Sequence, residues 1–371
     1  MLIDAFGAAS FFFLSYVLFI KSFSDNQLAN LWLAIFLLLV GAILLDSVFL
    51  DSGTYLQFPH LFNIVDLFTF GTAPCWYIAV SYFTQPSRRF NPDYLWHFFP
   101  TLLLVIVSIP FFLLSVEAKR TLIEEMAKEQ KELTTSQIVV FGILFLQFTV
   151  YLILSYLKII RHQKNIQLIT SNKAEKELNW LKFMVIGVTT MMLMWMMELV
   201  FLNTTYVQES GWGYLLGCYF LGFFAIRQKE IYPFAQQELE EINEIINEQA
   251  TKPPELIPFD PQQKEKLITL IETQKPYLDP ELNLPKLAEL MDSSTHKLSN
   301  LINQGFEQNF YQLINSYRIE ESKRLLQDPK LQHLGILQIG YEAGFNSKTT
   351  FNTAFKNATG LSPLEYRKQR P

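Results

Sequence analysis

The chain has 371 residues, half of them hydrophobic and 33 of them phenylalanine, with a formal net charge of -5 and a mean hydropathy of +0.17. That is high for a soluble protein, and the net charge averages over unlike parts, so charge is informative only locally. The two cysteines, Cys75 and Cys218, both lie inside apolar blocks, which excludes a disulfide framework and leaves each thiol as a small hydrophobe.

From Met1 to about Arg227 the apolar residues come in blocks, roughly 2–20, 28–50, 61–84, 94–116, 137–160, 181–203 and 211–227. Each is long enough to cross a hydrocarbon core of about 30 Å as a helix. Met1-Leu2-Ile3-Asp4 offers no basic region and no cleavage site, so the first block is expected to stay as a helix. Basic residues orient the bundle. With the C-terminus cytoplasmic, the inner connections hold Lys21, Arg88, Arg89, Lys158, Arg161, Lys164, Lys173, Lys176, Lys182, Arg227 and Lys229. The outer ones hold only Lys119, Arg120, Lys128 and Lys131. An odd number of spans then puts the N-terminus outside, in the cell (inner) membrane.

The outer segment Glu117 to Gln137 is charged, lacks Gly and Pro, and carries Leu122, Ile123, Met126 and Leu133 at near-helical spacing. It is either a short amphipathic helix on the outer surface or a solvated loop. Asn203-Thr204-Thr205 matches a glycosylation sequon, a pattern too short to carry weight. Asp46, Asp66 and Glu198 are ionisable groups within spans, where charge is costly and usually functional. With the N-terminus outside, all three fall near the outer ends of their helices, with Tyr55, Trp195, Tyr206 and Trp212 nearby in sequence. They form either an acidic, aromatic-lined cup for a small-molecule or lipid-borne signal, or ordinary helix ends in an interfacial aromatic belt.

After Arg227 the composition turns acidic through Glu230, Glu238, Glu240, Glu241, Glu244, Glu248 and Glu255, as suits a spacer repelled by lipid headgroups and DNA. Ala235, Leu239, Ile242 and Ile246 repeat four, three and four residues apart, the seam spacing of a two-stranded coiled coil. Only about two heptads are present, so a plain juxtamembrane helix is the competing reading. Pro253, Pro254 and Pro258 end it.

From about Asp260 the pattern is helical to the end. Leu284 to Met291 predicts a short helix, interrupted at Asp292-Ser293-Ser294 and followed by a helix with Leu298, Leu301 and Ile302 inward. The pair returns some fifty residues on: Ile336 and Ile339 lie on one helix, Ala343-Gly344-Phe345 forms the turn, and Phe351 and Phe355 face the next core. Phe310 to Gln327 predicts a long connecting helix stopped by Asp328-Pro329. Two short helices with a tight break set one helix against the DNA backbone and the other in the major groove.

The tail GFNSKTTFNTAFKNATGLSPLEYRK, together with Leu287-Ala288, Leu298, Tyr317-Arg318-Ile319-Glu320, Leu325-Leu326 and Ile339, resembles the AraC/XylS family of transcription regulators over about residues 275 to 370. Departures are Gly340 and Ser322 where the family commonly has Ala, and Asn300 where a basic residue is frequent. The N-terminal part looks like the membrane-anchored variant, with a multi-span region in place of the ligand domain. The resemblance implies two helix-turn-helix units on double-stranded DNA. The outward positions are Ser294, Thr295, His296, Lys297, Ser299, Asn300 and Asn303 on the first recognition helix, and Asn346, Ser347, Lys348, Thr349, Asn352, Thr353 and Lys356 on the second. Arg318 on the connecting helix is counted with them. Small hydroxyls, amides and lysines suit base edges and phosphates.

From Ser294 onward basic residues exceed acidic ones by only four, so a homodimer is expected, two copies in one membrane raising each other's effective concentration. No His-Glu-x-x-His, Walker loop or paired-Cys motif occurs, and no enzyme activity, metal or cofactor is expected. The fold class is thus all-α: a polytopic bundle of about seven transmembrane helices (1–227), an acidic linker helix (228–259) and a helix-turn-helix domain (260–371). The alternative is a polytopic receptor or transporter-like protein whose C-terminal domain serves protein interaction.

Overall fold

The computed structural model describes residues 1–85, 89–128, 135–172, 176–200, 210–234, 236–251 and 260–369. For 126–128, 136–137, 191, 194–200, 210–211, 214, 236 and 248–251 it describes the backbone alone. Arg88, Lys131, Lys173, the Asn203-Thr204-Thr205 sequon, Tyr206, Ala235, the prolines 253, 254 and 258, and Arg370 lie outside the described residues, as do the side chains of Trp195 and Glu198. The described residues form helices, with one isolated β-bridge, Thr170 to Asn283, and no strand. They divide into two compact units: Met1–Ile159 with Asn179–Ile231, and Ile160–Leu178 with Tyr232–Pro371.

The first unit contains α1 (Leu2–Lys21), α2 (Gln27–Asp51), α3 (Thr54–Gln57), α4 (Asp66–Thr84), α5 (Phe99–Phe112), α6 (Val116–Lys128), most of α7 (Thr135–Asn165), α8 (Asn179–Val200) and α9 (Ser210–Arg227). Leu2–Lys21, Gln27–Asp51, Pro59–Thr84, Pro92–Phe112 and Ile138–Leu168 are long and apolar enough to cross a membrane. They coincide with the first five expected spans. The sixth falls on α8, and the last on α9, whose Leu215–Arg227 is a shorter apolar helix. α1 packs on α2 and α9, α2 on α4, and α8 on α9. Lys21 donates to the carbonyls of Ala225 (3.1 Å), Ile226 (2.5 Å) and Gln228 (2.8 Å), so its ammonium satisfies the orphan acceptors at the end of α9. α5 buries none of its residues and leaves Leu102, Leu103, Ile106, Val107 and Ile109 exposed.

The segment after Glu117 is a helix, α6, through Lys128, and it folds back onto α3 and the 3-10 turn Pro59–Leu61. Ile123 joins Tyr55 and Phe62 in a small core, which is why one face of this charged helix is apolar. Lys119 is buried beneath it, donating to Phe112 O at 3.0 Å, with its ammonium 3.1 Å from His60 Nδ1.

The second unit contains α10 (Gln236–Thr251), α11 (Pro261–Gln274), α12 (Leu284–Leu290), α13 (Thr295–Phe306), α14 (Phe310–Gln327), α15 (Ile336–Glu342), α16 (Lys348–Thr359) and α17 (Pro363–Lys368). It also takes in 160–178. Within it His162 is buried, with Nδ1 3.0 Å from Tyr232 Oη and Nε2 2.7 Å from Lys176 O. Side-chain caps start its helices: Asp260, Asn283, Ser294, Asn309, Ser347 and Ser362 each accept a first-turn N–H. α14 has the span its sequence pattern gives and is stopped at Asp328 before Pro329.

Candidate nucleic-acid interface

α12 with α13, and α15 with α16, form two helix-turn-helix units joined by α14. The two turns are closed in the same way. After α12 the chain enters the left-handed region at Asp292 (φ 53°), and Ser293 N–H donates back to Ala288 O at 3.0 Å. After α15 it does so at Gly344 (φ 91°), and Phe345 N–H donates to Gly340 O at 2.9 Å. This is the Schellman closure, and it fixes the angle at which each recognition helix leaves its partner. Gly340 has a local reason: a Cβ there would meet Phe351 Cδ1 at 2.6 Å, so the ring occupies the space an alanine would need.

The second helix-turn-helix unit is held by Ile339 of α15, Ala343 and Phe345 of the turn, and Phe351 and Phe355 of α16, packed with Ile319, Leu325 and Leu326 of α14. With Phe351 and Phe355 inward, α16 turns Lys348, Thr349, Thr353 and Lys356 out to solvent, with Asn346, Ser347 and Asn352 half-buried. Ser347 is occupied as the N-cap: its Oγ accepts from Thr350 N–H (3.1 Å) and donates to Thr350 Oγ1 (2.8 Å). On the physics of groove readout, Asn352→Ala is expected to relax discrimination at one or two base pairs by about 1 to 3 kcal/mol each. Lys356→Ala, which removes a phosphate-seeking charge, should weaken all sequences alike and flatten the salt dependence. Gel-shift titrations against matched and mismatched duplexes separate the two, and identical unchanged affinities would remove α16 from the interface.

α13 is less open. Lys297 is exposed, and His296, Asn300 and Asn303 are half-exposed, beside a groove of about 720 Å³ whose lining includes Lys266, Met291, Lys297, Asn300 and Gln304. Ser294 serves as N-cap, its Oγ accepting from Lys297 N–H at 3.3 Å. Thr295 and Ser299, expected to face outward, are only 5% and 6% exposed, and α10 packs against α13.

Arg318 requires a correction. Expected among the DNA contacts, it is 1% exposed and spends its guanidinium on the interior. Nε donates to Tyr277 O (2.7 Å), and Nη2 donates to Asp279 O (2.7 Å) and to Ser171 Oγ (3.0 Å). Burial pushes its pKa down to about 10, with the nearby Asp279 charge opposing that, so it remains a cation at neutral pH. At the same place the first helix-turn-helix unit engages 169–171. Leu284 N–H donates to Ile169 O (2.8 Å), Ser171 N–H and Oγ–H donate to Leu282 O (3.4 and 2.7 Å), and Thr170 bridges Asn283. No periodicity in 160–178 announces this.

The expected seam of α10 also differs. Leu239 and Ile242 are buried within the single chain together with Ile245, while Ile246 is half-exposed. The buried spacing is thus three and three, that of a helix lying on its own domain. In the first unit, Asp46 accepts a hydrogen bond from the buried Tyr55 hydroxyl and lies within electrostatic reach of Asp66, so two of the three carboxylates expected at the outer helix ends are brought together.

A family model described as a helix-turn-helix domain matches residues 287–369. Among solved structures, the C-terminal domain of AraT, a response regulator from Geobacillus stearothermophilus, is similar at 30% identity. The match covers 30% of this chain and 88% of that one, with a TM-score of 0.26. A comparison with curated proteins gave no match. The paired, capped units and the matched family model define a double helix-turn-helix DNA-binding domain. The chain belongs with the AraC-type transcription regulators.

Proposed function

We propose that this DNA-binding regulator is anchored in the cell membrane by its first unit and couples a signal received there to transcription. One observation carries the anchoring: α5 is apolar but for Thr101 and Ser108 and buries none of its residues, in a chain with four further helical stretches of spanning length. An apolar surface of that kind is unstable in water and suited to lipid. The excess of Lys and Arg on one set of connections supports a cytoplasmic C-terminal unit, facing double-stranded DNA, with the N-terminus outside. Two copies act together, since the basic excess from α13 onward is small and Arg318 is withdrawn from it.

The signal is a small molecule or lipid-borne group received at the outer ends of the spans, where Asp46, Asp66 and Glu198 are the candidate residues. The pairing of Tyr55 with Asp46, close to Asp66, supports a polar site there. A ligand shifts output only by binding one conformation better than the other, so the readout must be signalling. Asp46→Asn, Asp66→Asn and Glu198→Gln are each expected to keep membrane insertion and DNA binding but to change reporter output under inducing conditions. Parental responses from all three would place signal entry elsewhere, and extraction of the parent from membranes by salt alone would remove the anchoring.

A further inference from the structure

α10 follows directly on the first unit and precedes the helix-turn-helix domain. Its polar side chains are mostly acidic or amide-bearing, with no Lys or Arg from Gln236 to Thr251. It does not stand away from the domain as a spacer. Leu239, Ile242 and Ile245 are buried, and the helix packs against α13, the first recognition helix. Glu241 Oε2 accepts from Thr295 N–H at 3.2 Å. That donor belongs to the first turn of α13, where backbone N–H groups have no partner within the helix and attract anions such as a DNA phosphate. Thr295 and Ser299, one turn apart, are covered on this side, while Lys297 and Asn300 on the opposite flank border the open groove. Glu240 and Glu244 stay exposed on α10. A duplex entering along the covered flank would collide with the helix and meet its negative charge.

We propose that α10 is an autoinhibitory mask that occupies the DNA-reading flank of α13 and must leave before the first helix-turn-helix unit can enter the major groove. The mask stands in for DNA at two levels. Its carboxylate takes the backbone donor a phosphate would use, and its apolar face lies on the helix that carries the buried Thr295 and Ser299. Leu239 and Ile242 hold it down, and these same residues would form the seam between two copies. One α10 therefore either masks its own domain or pairs with a second α10. The inference rests on the DNA-binding reading of α13 and α16 and adds how that binding is restrained.

The test uses the full chain, one copy per lipid nanodisc, and a random-sequence DNA duplex at low salt. Ile242→Asp unseats the helix and should bind the duplex about tenfold more tightly than the parent, as expected if the unmasked form is about a tenth of the population. The sign is diagnostic, because an added negative charge would otherwise weaken binding. Glu241→Gln, which keeps the apolar contact, should tighten binding by less. Where Ile242→Asp fails to fold, a locked form decides the matter. Glu241→Cys with Thr295→Cys, in a Cys75→Ser, Cys218→Ser background, is joined by a short cleavable thiol crosslinker. The locked form should lose about tenfold or more in affinity and regain it on cleavage. Equal affinity of locked and cleaved forms, or no crosslinking of the pair, overturns the mask. If no form binds the duplex, the DNA-binding reading fails and the mask fails with it.

Discussion

Replacing Arg318 by methionine is expected to destabilise the C-terminal unit by about 2 to 5 kcal/mol, the range for removing a charged donor from several buried acceptors. The side chain is 1% exposed, and the carbonyls of Tyr277 and Asp279 each receive a hydrogen bond of 2.7 Å from it. Methionine fills most of the volume but donates nothing, so those carbonyls lose their charged partner in a place water does not reach. Arg318→Lys keeps the charge, yet a single ammonium cannot reproduce the fork that spans Tyr277, Asp279 and Ser171, so it should recover only part of the loss. All six tryptophans precede residue 213, outside the second unit, so their fluorescence does not report on it. Hydrogen exchange does: the amides of Leu284, bonded to Ile169 O, and Ser171, bonded to Leu282 O, should lose protection in Arg318→Met before those of α16. Unchanged protection at both would sink the role assigned to Arg318.

What sequence could and could not reveal here follows from the range of the forces involved. The five long apolar stretches and α14 were legible because each is a local pattern: a run of apolar residues, or a helical period bounded by Asn309 and by Asp328-Pro329. The two helix-turn-helix units were legible for the same reason, since the Schellman closure and the Ser caps are written within a dozen residues. Arg318 was misplaced because its partners are remote. Ser171 lies 147 positions away, and nothing local separates a cation that reaches phosphate from one that ties carbonyls together. The α10 pattern allowed a seam at Leu239, Ile242 and Ile246, but burial chose Leu239, Ile242 and Ile245. A two-heptad apolar stripe fits a partner helix or its own domain equally, and sequence periodicity carries no information about which surface it meets. Thr295 and Ser299 face outward when only the apolar core of α13 is considered. That logic fails when a second helix covers the flank.

Gly344→Ala is expected to cost about 2 to 6 kcal/mol, combining backbone strain with overpacking. The first part is intrinsic. Gly344 sits at φ 91°, beyond the left-handed region that side-chain-bearing residues tolerate, and the Schellman turn after α15 depends on it. The second part comes from what faces it. An added Cβ would meet Tyr277 O and Leu278 Cα, both backbone, so no side-chain rotation relieves the clash. Tyr277 O is also the acceptor for Arg318 Nε, and Arg318 Nε would itself lie 3.1 Å from the new Cβ. The turn of the second unit, the 3-10 turn Pro276–Leu278 ahead of the first, and the middle of α14 therefore meet at one point. Displacing any one of them disturbs the relative setting of α13 and α16. That setting matters because two recognition helices entering successive grooves must hold a fixed separation. Two consequences distinguish this from local damage to α15. Thermal unfolding of the second unit, followed by exchange of its amides, should shift for residues of α11 and α12 as well as for α15. DNA affinity should fall by more than Lys356→Ala costs, since both units lose register together. A variant that melts only α15 and α16, and leaves protection around Tyr277 intact, would show that the two units are set independently and that Gly344 serves its own turn alone.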